Sequence, residues 1–259
     1  MTAHAYIGTS GWNYIHWKPR FYQDTPKSRW LSFCAERFNS IEVNGTFYRL
    51  QSQKTFQRWY NETPPDFYFA IKANRYLTHT KRLRNPRDSI QLEMDHAAAL
   101  GNKLAVVLWQ LPANFSVNNS RLSSFLDALT AWNSVRHTIE FRDDSWFQDD
   151  TLNLLQQYNV AVCQSDAGDW PLWSAVTADF VYVRLHGNPQ TYASNYSPVK
   201  LAKWASKIKS WIKQQRDVYV YFDNDANSRA PINAMSLRKL LQQTANDQAV
   251  RIPATDICD

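Results

Sequence analysis

Glycine is scarce in this sequence, which has 6 glycines among 259 residues. Nucleotide-binding loops need closely spaced glycines, because only glycine lets the backbone approach a phosphate group closely. The chain has no G-x-G-x-x-G motif and no P-loop motif, so we expect neither NAD nor ATP as a cofactor. The G-x-S-x-G motif of serine hydrolases and the H-E-x-x-H motif of zinc proteases are also absent.

Cysteine is rare as well, and the 3 cysteines, Cys34, Cys163 and Cys258, are far apart. Without a C-x-x-C pair, neither a disulfide framework nor a zinc knuckle is indicated. Reduced cysteines are typical of cytosolic proteins, so we expect a cytoplasmic location. Residues 1–9 lack the basic and apolar regions of a signal peptide. The longest apolar run, residues 104–109, is too short to cross a bilayer, so no membrane association is predicted.

The length and composition favour one large domain. Hydrophobic residues make up 44% of the chain and charged residues 20%, which is enough apolar surface for a single core. A complete eight-fold barrel has about 250 residues, and no linker or low-complexity segment divides the sequence. We therefore predict a single domain over residues 1–259. The net charge of +6 favours anionic partners, nucleic acid among them, without indicating the fold.

Short apolar, β-branched and aromatic segments alternate with segments of helical periodicity. The predicted strands are residues 6–9, 40–43, 67–72, 104–110, 138–141, 161–164, 180–185 and 218–222. The predicted helices are residues 28–37, 55–62, 90–100, 120–132, 150–158, 198–215 and 231–244. Residues 168–177 have the weakest helical pattern, which predicts a short or irregular unit between strands six and seven. The alternation predicts an α/β fold, a single (β/α)₈ TIM-type barrel with parallel strands.

Polar side chains are concentrated at the ends of the predicted strands. Residues i and i+2 of a strand point to the same face, and the outward face of a barrel strand packs on helices. We therefore expect the polar pairs to point into the barrel mouth, where the active sites of such barrels lie. The pairs are Glu42 with Asn44, Lys72 with Asn74, Glu140 with Arg142, Gln164 with Asp166, and Arg184 with His186.

This placement predicts the functional residues. The predicted catalytic residues are Glu42, Glu140, Asp166 and His186. The predicted substrate-binding residues are Asn44, Tyr48, Lys72, Gln110, Arg142, Trp146, Arg184 and Asn224. The alternative is a purely structural network, because buried charges need partners. Charged pairs at five strand ends on one side of the barrel favour a working site.

Several short motifs occur over nearly the whole length of the chain. They are residues 7–12 (IGTSGW), 38–48 (FNSIEVNGTFY), 69–72 (FAIK) with 78–79 (TH), 110–112 (QLP), 140–142 (EFR) with 145–146 (SW), 184–187 (RLHG) and 219–224 (YVYFDN). With these motifs the sequence resembles the YecE-like proteins, which are grouped as domain of unknown function 72. The resemblance implies a TIM-like barrel and no particular reaction. The chain departs from the family at Asp223, where the family usually has asparagine, and this adds a carboxylate.

Three kinds of chemistry remain open. The first is a metal-dependent sugar isomerase or epimerase, since carboxylates and one imidazole suit Mn²⁺, Mg²⁺ or Zn²⁺. Its ligands would be Glu140, Asp166, His186 and Asp223. Arg142 and Arg184 share those strand faces and would repel a cation. The second is metal-free acid–base or nucleophilic chemistry on a small polar, anionic substrate held by Lys72, Arg142 and Arg184.

The third is binding or processing of single-stranded nucleic acid. Residues 78–87, called the basic segment below, contain His79, Lys81, Arg82, Arg84 and Arg87. Loop aromatics on which bases could stack are Trp12, Tyr14, Trp17, Phe47, Tyr48 and Trp146. Solvated basic loops are common, however. We therefore favour an enzyme-like barrel with a charged pocket, over which residues 188–198 are predicted to form a flap with Tyr192 and Tyr196.

Overall fold

The computed structural model describes residues 2–249, and side chains as far as residue 242. Cys258 lies outside the described residues, and Cys34 and Cys163 are free and buried. Eight strands run parallel in one sheet of order β1-β8-β7-β6-β5-β4-β3-β2, which confirms the predicted barrel. The strands are β1 (Ala5–Thr9), β2 (Ser40–Val43), β3 (Tyr68–Lys72), β4 (Leu104–Gln110), β5 (Arg136–Glu140), β6 (Ala161–Ala167), β7 (Phe180–Gly187) and β8 (Asp217–Phe222).

Helices cover the outside of the barrel. They are α1 (Trp30–Ala35), α2 (Gly45–Tyr48), α3 (Gln53–Asn61), α4 (Arg87–Ala97), α5 (Asn119–Leu129), α6 (Asp149–Gln157), α7 (Pro198–Lys213) and α8 (Arg229–Ala249). Helix α7 begins with a proline behind Ser197, whose hydroxyl accepts a hydrogen bond from the Lys200 N–H. Residues 168–179, between β6 and β7, contain no helix, so the irregular unit expected there is observed.

The barrel closes where β1 meets β2. Gly8 permits the closest approach, because a Cβ atom at this position would lie 1.8 Å from the Ser40 carbonyl oxygen. The Asn39 side chain extends the seam by donating to the Ala5 carbonyl and accepting from the Ile7 N–H, both at 2.8 Å. Side-chain and backbone contacts therefore join the two strands at the end of the sheet.

Two apolar layers surround the strands. Outward side chains such as Trp109, Ile139 and Val220 pack against the helices. Inside the barrel, an aromatic layer fills the amino-terminal half, built from Tyr6, Phe180, Tyr182, Tyr219 and Tyr221. The carboxyl half of the interior is therefore left to the polar side chains at the strand ends. No helix within residues 2–249 has the length and apolar character needed to cross a membrane.

Candidate active site at the barrel mouth

Arg184, on β7, lies at the centre of the barrel mouth and is 1% exposed. Its Nη2 atom is 2.8 Å from Glu42 Oε1 and 3.1 Å from Asp223 Oδ2. Its Nη1 atom is 2.9 Å from Glu140 Oε2. Burial alone would lower the pKa of Arg184, but the three carboxylates outweigh it and hold the pKa well above its usual value. The guanidinium group thus has its charge neutralised from three sides.

Glu42 and Glu140, on β2 and β5, are fully buried and have further partners. Glu42 accepts hydrogen bonds from the hydroxyls of Ser10 and Tyr182. Glu140 accepts from the Ser165 hydroxyl at 2.6 Å and pairs with Arg142 at 2.8 Å. Burial by itself would raise the pKa of Glu140, but Arg142 and Arg184 hold it well below its ordinary value. Glu140 is therefore an ionised acceptor and no source of protons at neutral pH.

His186 lies two residues after Arg184 on β7, on the same face of the strand, and contacts two of these carboxylates. Its Nε2 atom is 3.3 Å from Glu140 Oε1, and its Nδ1 atom is 3.0 Å from Asp223 Oδ2. Burial raises the pKa of Asp223, yet Arg184 and His186 lower it more, so the pKa lies below its ordinary value. The imidazole is fully buried, so the network that surrounds Arg184 continues through it to β8.

Lys72, at the end of β3, faces the same mouth from the opposite side of the barrel. It is 8% exposed, and its Nζ atom lies 4.2 Å from the centre of the Phe47 ring. Within the described residues, this Nζ atom forms no ion pair and no hydrogen bond. Burial and the charge of Arg184 lower the pKa of Lys72 to about 8, although the carboxylates of Glu140, Glu42 and Asp223 act to raise it. A minor fraction of the side chain, much larger than for an ordinary lysine, is therefore free amine near neutral pH.

Two aromatic side chains from the β6–β7 and β7–α7 connections cover the mouth. Trp170 packs 3.4 Å from the Arg142 guanidinium and 4.7 Å from the His186 ring. Tyr192 lies 5.8 Å from both His186 and Trp170. Residues 188–197 thus lie at the carboxyl end of the barrel, where the flap was predicted, although Tyr196 is buried and donates to the Asp166 carbonyl.

The prediction for strand six was wrong. Asp166 does not point into the mouth, because its carboxylate accepts from Asn188 Nδ2 at 2.9 Å and from Trp204 Nε1 of α7 at 3.3 Å. Gln164 also points outward, donating to backbone carbonyls of residues 174 and 175. The inward positions belong to Cys163 and Ser165. The partners of Gln164 lie in the irregular connection after β6, and those of Asp166 lie in the β7–α7 connection and in α7, so polar side chains on the outer face of β6 are not forced inside.

The predicted substrate-binding residues fall into two groups. Lys72, Arg142 and Arg184 converge on the mouth, together with Asn44, which donates to the Ser10 hydroxyl at 2.6 Å. Gln110 is the register partner of Glu140, so it follows the same rim.

The other three lie elsewhere. Trp146 is fully buried against Phe115 in the outer layer, which corrects its placement in the pocket. Asn224 is buried and donates to Asn233 Oδ1 on α8 at 2.9 Å, outside the barrel. Tyr48 is 73% exposed and forms no part of the buried network.

Sequence reasoning missed three hydroxyl groups and one ring of this site. Tyr182 precedes Arg184 by two residues, so extending the same alternation would have identified it. Ser10 directly follows β1, where no polar pair was considered, and Ser165 points to the face of β6 opposite to Gln164 and Asp166. Trp170 lies in a segment without helical or strand pattern, and the sequence gives no signal of its position.

The side chains at the mouth do not fit a divalent metal ion. Of the four predicted ligands, Asp166 lies outside the barrel, and the Arg184 guanidinium occupies the space between Glu140 and Asp223. Among the side chains that the structure describes, no group of three or more His, Cys, Asp or Glu residues is arranged to hold a metal. A cation would meet a fixed positive charge at the centre of the site.

Two of the basic side chains in the basic segment form hydrogen bonds within the protein. Lys81 Nζ donates to the Asn85 carbonyl at 2.9 Å, and Arg82 donates to the Asn114 carbonyl and side chain at 3.2 and 3.1 Å. Arg84 and Arg87 are exposed. Of the aromatic side chains proposed to stack on bases, Trp17, Phe47 and Trp146 are buried.

Comparison with known proteins gives a consistent family. The profile described as "Protein of unknown function DUF72" matches residues 6–256. The UPF0759 protein YunF of Bacillus subtilis is 26% identical over 91% of this chain and 94% of its own length. The UPF0759 protein YecE of Escherichia coli K12 is 28% identical over 57% of this chain and 53% of its own. The crystal structure of a DUF72 family protein from Thermotoga maritima has a TM-score of 0.83, is 25% identical, and matches 92% of this chain and 99% of its own.

Proposed function

This chain belongs to the DUF72 family, and we propose that its barrel mouth is the active site of an enzyme that acts on a small polar anion through Lys72. The carrying observation is the state of this lysine. It is buried, faces the mouth, and has no ion-pair or hydrogen-bond partner among the described residues. A desolvated lysine near another cation is a common form of catalytic amine.

Lys72 is the group that transfers the proton. With a pKa of about 8, about a tenth of the side chain is free amine at pH 7. The amine accepts a proton from a substrate carbon or oxygen and becomes the ammonium ion, and it returns the proton at the end of the reaction. A general base works best when its pKa is close to the working pH.

Arg142 binds the anionic group of the substrate. Its Nε and Nη2 atoms both contact Glu140 Oε1, at 2.9 and 2.8 Å, and its guanidinium plane packs against Trp170. This leaves Nη1 without a protein partner in the described structure. Arg142 and Lys72 thus offer positive charge toward one space. The guanidinium group of Arg184 is fully engaged by carboxylates, so it is not free to bind a substrate. Arg184, Glu42 and Glu140 hold one another in place, and all three are positioning residues.

The proposal is tested by proton exchange. Pyruvate, malonate and phosphoglycolate, incubated with the protein in D₂O, are followed by NMR for loss of the signal of the C–H group next to the ketone (pyruvate) or next to the carboxylate (malonate and phosphoglycolate). We expect exchange of at least one of them with the wild type and with Lys103→Met, and none with Lys72→Met. Lys103 is the matched control, since it is buried away from the mouth and donates to Tyr60 and Thr63. Absence of exchange with all three anions, or exchange that survives in Lys72→Met, would refute proton transfer by Lys72.

A further inference from the structure

A cavity lies beside the mouth, outside the barrel wall. It has a volume of about 420 Å³ and lies between the segment after β3 and helix α4. Its apolar walls include Tyr76 and Leu92, which are 55% and 51% exposed. The polar side chains that line it are Asn74, Lys81, Asp88, Ser89 and Glu93. None of these residues takes part in the chemistry proposed for the mouth.

Glu93 is the unusual member of this cavity, because it is a carboxyl group only 4% exposed. Its Oε1 atom accepts from the Asn74 N–H at 2.5 Å. Its Oε2 atom forms no hydrogen bond or ion pair within the described residues. A buried carboxylate without a charged partner is costly, so a bound ligand that supplied one would relieve that cost.

The charged groups around the cavity leave Glu93 without neutralisation. Lys81 is the only basic side chain among the lining residues, and its ammonium group donates to the Asn85 carbonyl at 2.9 Å and to Ser89 Oγ at 3.4 Å. Asp88, five residues before Glu93 on α4, adds a second negative charge at the exposed rim. Burial raises the pKa of Glu93 to about 7, although the Asn74 N–H acts to lower it.

We propose that this cavity is a binding site for a small molecule with an apolar body and a protonated amine, which pairs with Glu93 Oε2. The excess of carboxylate over free ammonium favours a cation, and the apolar walls provide contact for its body. The site is independent of the function proposed for Lys72. It lies close to the mouth in the chain, because Asn74, whose N–H donates to Glu93, follows Lys72 by two residues.

The test uses phenethylamine as the probe and 2-phenylethanol as its uncharged analogue, with binding measured by NMR titration. We expect the wild type to bind the amine about tenfold more tightly than the alcohol, the size of a charge-assisted hydrogen bond. Glu93→Gln keeps an acceptor for Asn74 and should reduce amine affinity to that of the alcohol. Asp95→Asn removes an exposed charge of the same helix outside the cavity and should change neither affinity.

The pH dependence provides a second readout. A cation binds the ionised carboxyl group, so amine affinity should rise as the pH increases through about 7 and then level off. Glu93→Gln should abolish this rise, while unchanged binding of 2-phenylethanol and an undiminished melting temperature would show that the variant is folded. Equal amine affinity in the wild type and Glu93→Gln, or a flat profile in the wild type, would overturn the proposal.

Discussion

The two sides of the barrel mouth each contain a buried cation, but the two cations differ in whether they are paired with carboxylates. On β7, Arg184 is surrounded by Glu42, Glu140 and Asp223, each within 3.1 Å. On β3, directly across the barrel in the strand order, Lys72 has no carboxylate within ion-pair distance among the side chains that the structure describes. Both side chains are almost completely buried. Arg184 is therefore part of a closed ion-pair network, whereas Lys72 has no ion-pair partner within the described part of the chain.

This difference in pairing distinguishes a structural role from a chemical role. A paired network fixes side-chain positions, and its groups have little capacity left to bind a substrate. An unpaired buried amine lowers stability, and such groups are retained where function requires them. Arg184 therefore resembles a structural centre, whereas Lys72 resembles a reactive group.

The largest effect is expected from Arg184→Met, which would leave three buried carboxylates without their common partner. Breaking such a pair costs about 3–5 kcal/mol of the free energy of unfolding. Arg58→Met is the control, because its ion pair with Glu62 is single and its side chain is 65% exposed, and pairs of that kind contribute about 0–1 kcal/mol. Urea unfolding at pH 7 measures both. Equal losses in the two variants would mean that the network is no stronger than a surface pair.

Lys72→Met should increase the free energy of unfolding, whereas Arg184→Met should decrease it. The pKa falls from 10.5 to about 8 on folding, and each pKa unit corresponds to about 1.4 kcal/mol, so the variant should be about 3 kcal/mol more stable at pH 7. The unfolded chain binds more protons than the folded one between these pKa values, so wild-type stability rises with pH there. The advantage of the variant should therefore shrink between pH 8 and about 10.5.

Lys103→Met provides the contrast within the same experiment. Lys103 is also buried, but its ammonium group donates to three oxygens of Tyr60 and Thr63. Its removal leaves those acceptors unsatisfied and should destabilise the protein by about 1–3 kcal/mol. A loss of stability in Lys72→Met similar to that in Lys103→Met would show that Lys72 has a partner and would end the distinction between the two sides.

A smaller effect is expected from Trp170→Ala, which removes the ring over Arg142 and His186. The half-buried ring contributes a cation–π contact of about 0.5–2 kcal/mol, so the loss of stability should be modest. Access to the mouth should increase, and Lys72 should react several-fold faster with acetic anhydride, measured by peptide mapping. Acetylation of Lys103, away from the mouth, should not change. An unchanged rate at Lys72 would show that Trp170 does not limit access.

The sequence could predict the barrel because eight apolar strand segments and their alternation with helices are local signals. The convergence of Glu42, Lys72, Glu140, Arg184 and His186 followed from strand parity alone. Parity failed at Asp166, since both faces of β6 contain polar or small residues, and the partners that hold Asp166 outside, Asn188 and Trp204, come after β7, away from β6 in the chain. Trp146 could not be placed either, because an aromatic ring after a strand fits an outer core and a pocket equally well.

The pairing of the charges could not be predicted from the sequence. Which carboxylates reach Arg184 depends on the register of β2, β5 and β8 around the barrel, and these strands are far apart in the chain. The same holds for Lys72, whose lack of a partner results from distances across the mouth. Glu93 was missed for a related reason, since a glutamate on a helix is usually exposed and only the packing of α4 buries it.

The smallest effect is expected from changes in the basic segment. A single-strand binder releases counterions when Lys and Arg neutralise phosphates, so its affinity falls steeply with salt, and the salt slope decreases by about one for each contact removed. Because Lys81 and Arg82 are engaged by Asn85 and Asn114, we expect weak binding of a dT₂₀ oligonucleotide. Replacement of Lys81, Arg82 and Arg84 by alanine should leave that binding and its salt slope unchanged, in fluorescence anisotropy over a range of salt concentrations. The same variant should lose about 1 kcal/mol of stability through the broken loop contacts, whereas Arg84→Ala alone should lose none. Tight binding whose salt slope falls in the triple variant would place nucleic acid, and not a small anion, at this end of the barrel.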